Sequence, residues 1–204
     1  MTEESAAEDE RLPYWVELWP ASLTLASWLE MRREDIRGRL CLDLGCGLGF
    51  TALVGQWLGA RVLGADYERT ALTYASANAR LNGTRSPLWA VMDWRNPALQ
   101  PASCAYVWAG DILYERRFVR PLLDFLHHVL AEEGTAWIAE PERTVYTLFL
   151  RGLDEEDFAC RRVFREKVPA LYGQKSLVTV NLWEIRKKAA VPRRLNPALL
   201  STPD

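Results

Sequence analysis

The sequence of 204 residues predicts one domain of the α/β class, with a doubly wound, mostly parallel sheet of seven strands that ends in an antiparallel hairpin. Short apolar runs alternate with amphipathic segments of helix length through five strands, which is the pattern of a parallel sheet with crossover helices. Two further strand-like runs then follow each other without a helix, which favours a hairpin. Sheets of this kind bind ligands at the carboxyl ends of their strands. Function is therefore expected in the residues that follow each strand.

The composition is that of an ordinary globular protein, with 49% hydrophobic and 25% charged residues. A net charge of −2 gives no overall attraction for nucleic acid, so a nucleic-acid partner is not expected. No apolar run approaches the ~18 residues of a membrane span, and the acidic start lacks the apolar core of a signal peptide. No two of the four cysteines form a C-x-x-C pair, which fits a reducing cytoplasm. We expect a cytoplasmic monomer with flexible ends at 1–12 and 189–204.

An aromatic segment precedes the first strand. Tyr14, Trp15 and Trp19 lead into a helix that is expected to begin at Ala21 or Ser22 and to run to about residue 33. The aromatic side chains could form a hydrophobic lid over the edge of the sheet, or they could cover a ligand pocket. The sequence leaves both interpretations open.

The first strand, over 40–44, breaks into glycines at positions 45, 47 and 49 before the helix predicted over 51–58. Glycines at such a turn allow backbone angles that other residues resist, and they let a ligand lie against the helix N-terminus. The dinucleotide fingerprint is G-x-G-x-x-G. Here the third glycine comes one position early, and Phe50 occupies the place of the glycine in the NAD pattern. A nucleotide-like ligand other than a dinucleotide is expected.

The second and third strands, over 61–66 and 86–91, each deliver an acid at their carboxyl ends. Asp66 suits the two hydroxyls of a ribose, and it could also cap the helix predicted over 68–82. Asp93 could accept a hydrogen bond from the exocyclic amine of an adenine, with the ring of Trp94 near the base. A strand-end acid that only begins a turn is the alternative for Asp93.

The fourth strand, over 104–109, is followed by Asp111 and Tyr114, and then by a helix whose first turn must hold Pro121. A fifth strand over 135–139 and a helix around 146–153 come next, and strand-like runs over 161–168 and 176–186 complete the pattern. Asp111 and Tyr114 are candidates for chemistry, and their alternative roles are a helix cap and a core residue.

Five stretches resemble the seven-β-strand protein-lysine methyltransferases, a group of class I S-adenosylmethionine-dependent methyltransferases, in order and approximate spacing. These stretches are Leu18-Trp19-Pro20, Asp43-Leu44-Gly45-Cys46-Gly47-Leu48-Gly49, Asp66, Asp93-Trp94 and Asp111-Ile112-Leu113-Tyr114. The resemblance covers roughly 15–143, and its most specific element is the Asp-x-x-Tyr motif after the fourth strand. The sequence departs from the family pattern at Asp43, where many members have Glu, and at Gly110, where Ala or Ser is usual.

The resemblance implies S-adenosylmethionine as the cofactor and a lysine ε-amine on a protein as the methyl acceptor. Asp111 and Tyr114 are the predicted catalytic residues. The predicted cofactor contacts, which include the strand-end acids, are Trp19, Asp43, Gly45, Cys46, Gly47, Asp66, Tyr67, Asp93, Trp94 and Gly110. No metal is expected, because His127 and His128 are neighbours on a helix and cannot both face one site.

Three rival functions share these residues. Nucleic-acid amine methyltransferases usually carry Asn- or Asp-Pro-Pro-Tyr after the fourth strand, and residues 110–115 contain no proline. A small-molecule or RNA methyltransferase would use the same cofactor contacts. A non-catalytic cofactor-binding module is the third rival, and the acids at positions 66, 93 and 111 count against it.

Overall fold

The protein, seen in a computed structural model, is described for residues 14–172 and 176–188, so the predictions about the two ends lie outside the described residues. Its strands are β1 Leu40–Leu44, β2 Arg61–Asp66, β3 Leu88–Val91, β4 Cys104–Gly110, β5 Leu130–Glu140, β6 Phe158–Pro169 and β7 Leu177–Lys187. Its helices are α1 Pro20–Met31, α2 Arg33–Ile36, α3 Phe50–Trp57, α4 Arg69–Leu81, α5 Val119–Val129 and α6 Val145–Glu155, with 3₁₀ turns at Tyr14–Val16 and Arg116–Phe118.

The seven strands form one sheet in the order β3-β2-β1-β4-β5-β7-β6. Strands β1 to β5 are parallel, and β7 lies antiparallel between β5 and β6. The predicted doubly wound sheet with a C-terminal antiparallel hairpin is therefore confirmed. The chain order reverses between β1 and β4, and ligands of open α/β sheets bind at such a reversal.

Two hydrophobic cores cover the two faces of the sheet. On one face α5 and α6 bury Phe125 and Phe149, and on the other α1 and α3 pack over Trp108 and Trp137. All four of these aromatic side chains are at most 1% exposed. The rigid layer beneath the carboxyl edge of the sheet holds the strand ends in fixed positions.

Several element boundaries differ from the prediction for local reasons. Helix α1 begins at Pro20, a residue earlier than expected, because proline is well suited to the first position of a helix. Strand β5 begins at Leu130, directly after α5, although Glu132 and Glu133 hide this start from a hydrophobic pattern. Pro121 lies in the first turn of α5, as predicted.

The sheet ends at β6, which pairs with β7 alone within the described part of the chain. Its cations are Arg161, Arg162, Arg165 and Lys167. The four cysteines carry free thiols, three of them buried and Cys160 partly buried. Among the described residues no helix combines the length and the apolar character needed to cross a bilayer.

Candidate active site

The glycine turn after β1 forms a cradle that only glycine fits. Gly45 and Gly47 have left-handed backbones with φ of +66° and +50°. A Cβ on Gly45 would lie 2.8 Å from Cγ2 of Ile112, and one on Gly47 would lie 3.3 Å from the carbonyl oxygen of Trp15. Both added contacts would be too close, and the left-handed backbone adds strain for any side chain. The turn therefore follows a tight path at the start of α3, packed against Ile112 and against the backbone of Trp15.

Asp43 lies beneath this turn and does not open onto it. Its carboxylate is 1% exposed and accepts a hydrogen bond of 2.7 Å from the hydroxyl of Thr51 on α3. Burial raises the pKa of Asp43 to about 7, although the hydrogen bond from Thr51 acts in the opposite direction. Cys46 is also buried, and burial raises the pKa of its thiol. These two side chains support the turn from below.

Asp66, at the end of β2, is held by backbone donors. Its Oδ2 accepts from the N–H of Gly47 at 2.8 Å, and its Oδ1 accepts from the N–H of Glu68 at 2.9 Å. Burial raises its pKa, while these two bonds lower it. The N-cap of α4 is Glu68, so the predicted alternative of Asp66 as the cap is corrected to a bond within the preceding turn. Each carboxylate oxygen keeps a further lone pair for a ribose hydroxyl.

The end of β3 is the most open part of the site. Asp93 forms a two-pronged ion pair with Arg95 at 2.7–3.0 Å, and this bonding lowers the pKa of Asp93. The ring of Trp94 packs edge-on against Phe118 at 5.7 Å. Tyr67 is 63% exposed, with its ring 6.0 Å from the guanidinium of Arg95. These contacts join the end of β3 to the turn after β4.

The N-terminal strap, which we define as residues 14–19, crosses the carboxyl edge of the sheet. Its rings reach both sides: that of Tyr14 lies 4.9 Å from Tyr114, and that of Trp15 lies 5.6 Å from Tyr74 on α4. Its backbone N–H at Leu18 donates to the hydroxyl of Tyr172, between β6 and β7. The strap also passes over Gly47, so the aromatic segment lies over the glycine turn.

Asp111 follows β4 in a left-handed backbone with φ of +53°. Its side chain is 2% exposed and is bound by both prongs of Arg143, at 2.6 Å to Oδ1 and 2.7 Å to Oδ2. Burial raises the pKa of Asp111, and the bonds from Arg143 act in the opposite direction. The preceding Gly110 explains one departure from the family, because a Cβ there would lie 3.1 Å from the hydroxyl of Ser22 on α1.

A cavity of about 270 Å³ lies between the strap and the ends of β4 and β5. Its polar lining comes from Glu17, Asp111, Arg143 and Tyr172, with the ring of Trp19 beside them. Tyr114 lies outside this lining: it is 37% exposed, and it packs on Tyr14 and Phe118. A larger open cleft of about 600 Å³ runs along α5 beside Trp94. No residue of the glycine turn lines either of these two spaces.

Sequence reasoning missed Arg143 and the residue that supports it, Glu140. Glu140 is 2% exposed at the end of β5. It accepts hydrogen bonds from Asn181 at 2.9 Å, from Trp183 at 3.1 Å and from the backbone N–H of Arg143 at 3.1 Å. The available signal was an acid that directly follows an apolar strand, as at β2 and β4.

Comparison with known proteins agrees with this geometry. The sequence model of the lysine methyltransferase family matches residues 5–156. The chain is 28% identical to the electron transfer flavoprotein beta subunit lysine methyltransferase of Xenopus laevis, over 66% of this chain and 55% of that protein. It is 25% identical to the EEF1A lysine methyltransferase 3 of Mus musculus, over 92% of this chain and 78% of that protein.

The chain therefore spans about half the length of the first of these relatives. Magnesium protoporphyrin IX methyltransferase from Synechocystis, solved with bound S-adenosylmethionine, superposes with a TM-score of 0.62 and 18% identity, over 81% of this chain and 78% of that one. That likeness shows the class I methyltransferase fold. Since the family model matches well over half of the sequence, the chain belongs to the lysine methyltransferase family.

Proposed function

We propose that this chain is a cytoplasmic, monomeric S-adenosylmethionine-dependent methyltransferase that methylates the ε-amine of a lysine on a protein. One observation carries the proposal: a buried carboxylate, Asp111, follows β4, one of the two strands between which the sheet order reverses, and it lines a cavity between the strap and the ends of β4 and β5. The family match and the lysine methyltransferase names of both relatives support the same activity.

The residues around the glycine turn fit S-adenosylmethionine. The glycine turn carries no side chain at Gly45 or Gly47, so its main chain is what a ligand at the start of α3 would meet, and Asp66 offers two oxygens to the ribose. Asp93 and Trp94 are proposed to hold the adenine, with Trp19 and Gly110 near the amino-acid end. Tyr67 flanks the ribose side, while Asp43 and Cys46 act from beneath the turn. When bound, the cofactor supplies a methyl group that its sulfonium has already activated.

The remaining work concerns the acceptor. A lysine with a pKa near 10.4 is protonated at pH 7, and neutralising it costs roughly 4 to 5 kcal/mol. Asp111 would orient the amine by accepting hydrogen bonds from its N–H groups, and these bonds strengthen as positive charge develops on the nitrogen. Tyr114 offers a hydroxyl and an aromatic face beside the strap. The strap covers the edge of the sheet, which excludes water and leaves the cavity as the entrance for a long side chain.

The test is methyl transfer from radiolabelled S-adenosylmethionine to the protein, RNA and small molecules of a whole cell lysate. We expect label on protein lysine, and we expect Asp111→Asn to slow transfer by roughly 10²- to 10⁴-fold, the range for a lost positioned charge. Asn tolerates the left-handed backbone at this position, so the variant should fold. Calorimetry should show S-adenosylhomocysteine bound equally well by both proteins, and NAD bound by neither.

Asp124→Asn is the matched control, because Asp124 is an exposed acid on α5 that pairs with Arg120 away from the cavity. It should transfer methyl groups at the wild-type rate. Label confined to RNA or to small molecules would support the rival acceptors instead. Tight NAD binding, or full activity of Asp111→Asn, would contradict the proposal.

A further inference from the structure

Arg143 is fixed at both its ends. Its guanidinium binds both oxygens of Asp111, and its backbone N–H is held by the carboxylate of Glu140. Glu140 is in turn bound by the side chains of Asn181 and Trp183 on β7. The position of Asp111 thus depends on a chain of contacts that begins two strands away. The guanidinium lies about 6.0 Å from the ring of Trp19, so the strap covers it.

The charged and titratable groups near this pair come from every neighbouring element. They are Tyr14 and Glu17 on the strap, Glu140 on β5, Tyr146 on α6 and Tyr172 before β7. Glu17 is exposed, and Glu140 is occupied by its three donors. The hydroxyl of Tyr146 is buried and has no hydrogen-bond partner among the described residues. The charges of Asp111 and Arg143, which line the cavity, sum to zero. Glu140 does not line the cavity and its donors are neutral, so its charge lies behind Arg143 and is the same in every variant of this pair.

This cancellation matters for a lysine acceptor. An unpaired carboxylate within ~4–6 Å of an amine favours the protonated amine and raises its pKa by about 1 to 3 units. A protonated amine has no lone pair with which to attack a methyl group. A guanidinium remains charged at every accessible pH, so its effect on the site is permanent.

We propose that Arg143 is the positioning residue of the transfer site: it holds the carboxylate of Asp111 toward the acceptor and cancels its charge, so that the acceptor amine enters in its neutral form. This inference rests on the proposed function and adds to it how the acceptor is kept reactive. The fork occupies one lone pair on each oxygen of Asp111. The second lone pair on each oxygen stays free to accept from the amine.

The test is the pH profile of label transfer to lysate protein, from about pH 6.5 to about pH 9.5 with saturating S-adenosylmethionine. Arg143→Gln keeps a donor for Asp111 but leaves its charge uncancelled. With the cationic sulfonium of the cofactor bound beside it, the acceptor amine is expected to have a lowered pKa, so the wild-type rate should level off within this range. We expect Arg143→Gln to be about tenfold slower than wild type near pH 7 and to approach it at high pH, a shift of about one pH unit. Arg143→Lys retains the charge without the fork, so it should keep the wild-type profile with a lower maximum.

Two further variants complete the design. Asp111→Asn leaves the charge of Arg143 unpaired, so the pH profile of its slower reaction should shift to lower pH by a similar amount. If Arg143→Gln does not fold, the profile of Asp111→Asn tests the inference instead. Arg165→Gln is the control, because Arg165 pairs with the exposed Glu142 and does not touch Asp111. It should match wild type at every pH.

A constant ratio of Arg143→Gln to wild type at all pH values would overturn the inference, because a merely structural residue acts equally at every pH. An unshifted profile of Asp111→Asn would also overturn it. In both cases the proposed function would still hold, since wild type would still label lysine. If wild type labels no protein, the proposed function fails, and this inference fails with it.

Discussion

The two sides of the site hold their acids by different means. On the cofactor side, Asp66 is bound by backbone N–H groups of the glycine turn and of its own turn, 19 and 2 residues away. On the acceptor side, Asp111 is bound by the side chain of Arg143, 32 residues later. Glu140 supports Arg143 and is itself bound by side chains that lie 41 and 43 residues after Glu140. The first arrangement is built from turns near the strand ends, and the second needs β7 to dock beside β5. The proposed acceptor side therefore depends on contacts between residues farther apart in the chain than the proposed cofactor side does.

The largest expected effect is on the pH dependence of stability, and it tests Asp43, the buried acid beneath the glycine turn. Its pKa is about 7 in the folded protein against 3.8 in the reference state. The folded state therefore keeps a proton that the unfolded chain releases. The stability linked to this proton is complete below about pH 4 and is lost as pH rises through 7, a change of about 4 kcal/mol. Urea unfolding across this range should show a much flatter pH dependence for Asp43→Asn than for wild type.

The matched control for this measurement is Asp124→Asn, which changes an exposed acid. It should reproduce the wild-type pH dependence of the free energy of unfolding. If Asp43→Asn shows the wild-type slope as well, Asp43 is satisfied inside the fold, and the contrast between the two sides weakens.

A smaller effect is expected on the acceptor side from Glu140→Ala. This change removes the buried acceptor of Asn181 and Trp183 and leaves both donors unpaired. Since each unsatisfied buried group costs about 1 to 3 kcal/mol, we expect a loss of about 3 kcal/mol in the free energy of unfolding. Urea titration measures it. Glu142→Ala, which breaks the exposed pair with Arg165, should cost about 0.5 kcal/mol or less. Equal costs for the two variants would mean that the remote network does not support the acceptor side.

The smallest effect concerns cofactor affinity. Asp66→Ala should weaken binding of S-adenosylhomocysteine by more than about tenfold, because charge-assisted hydrogen bonds contribute roughly 1.5 to 3 kcal/mol each. Calorimetry on the folded variant measures the change. Glu68→Ala is the control, because only the backbone N–H of Glu68 binds Asp66. Unchanged affinity in Asp66→Ala would limit Asp66 to its role in the turn.

Local patterns predicted most of the fold and, at the candidate site, the glycine turn and the acids at the strand ends, whose roles stay predictions. The alternation of strands and helices, the glycine turn and the acids after β2 and β4 all depend on residues close together in the chain, and their spacing is visible in the sequence. Arg143 was missed because its pairing with Asp111 depends on how β5 lies beside β4, and no local spacing encodes that. The start of β5 was missed because Glu132 and Glu133 interrupt its apolar pattern before the strand enters the core.

The position of β6 at the border of the sheet has a consequence for self-association. An outer strand of 12 residues offers a long row of backbone groups on which a strand of another molecule could add. Pairing two copies through this strand would bring together two sets of four cations, namely Arg161, Arg162, Arg165 and Lys167. Arg161 and Arg165 are paired with Glu184 and Glu142, and Glu166 lies on the same strand, so the repulsion is smaller than four full charges would give. The repulsion between these cations opposes fibre-like growth. It weakens at high salt, because the Debye length falls below its value of ~10 Å at 0.1 M. The protein should therefore self-associate through this strand less at moderate ionic strength than at high salt.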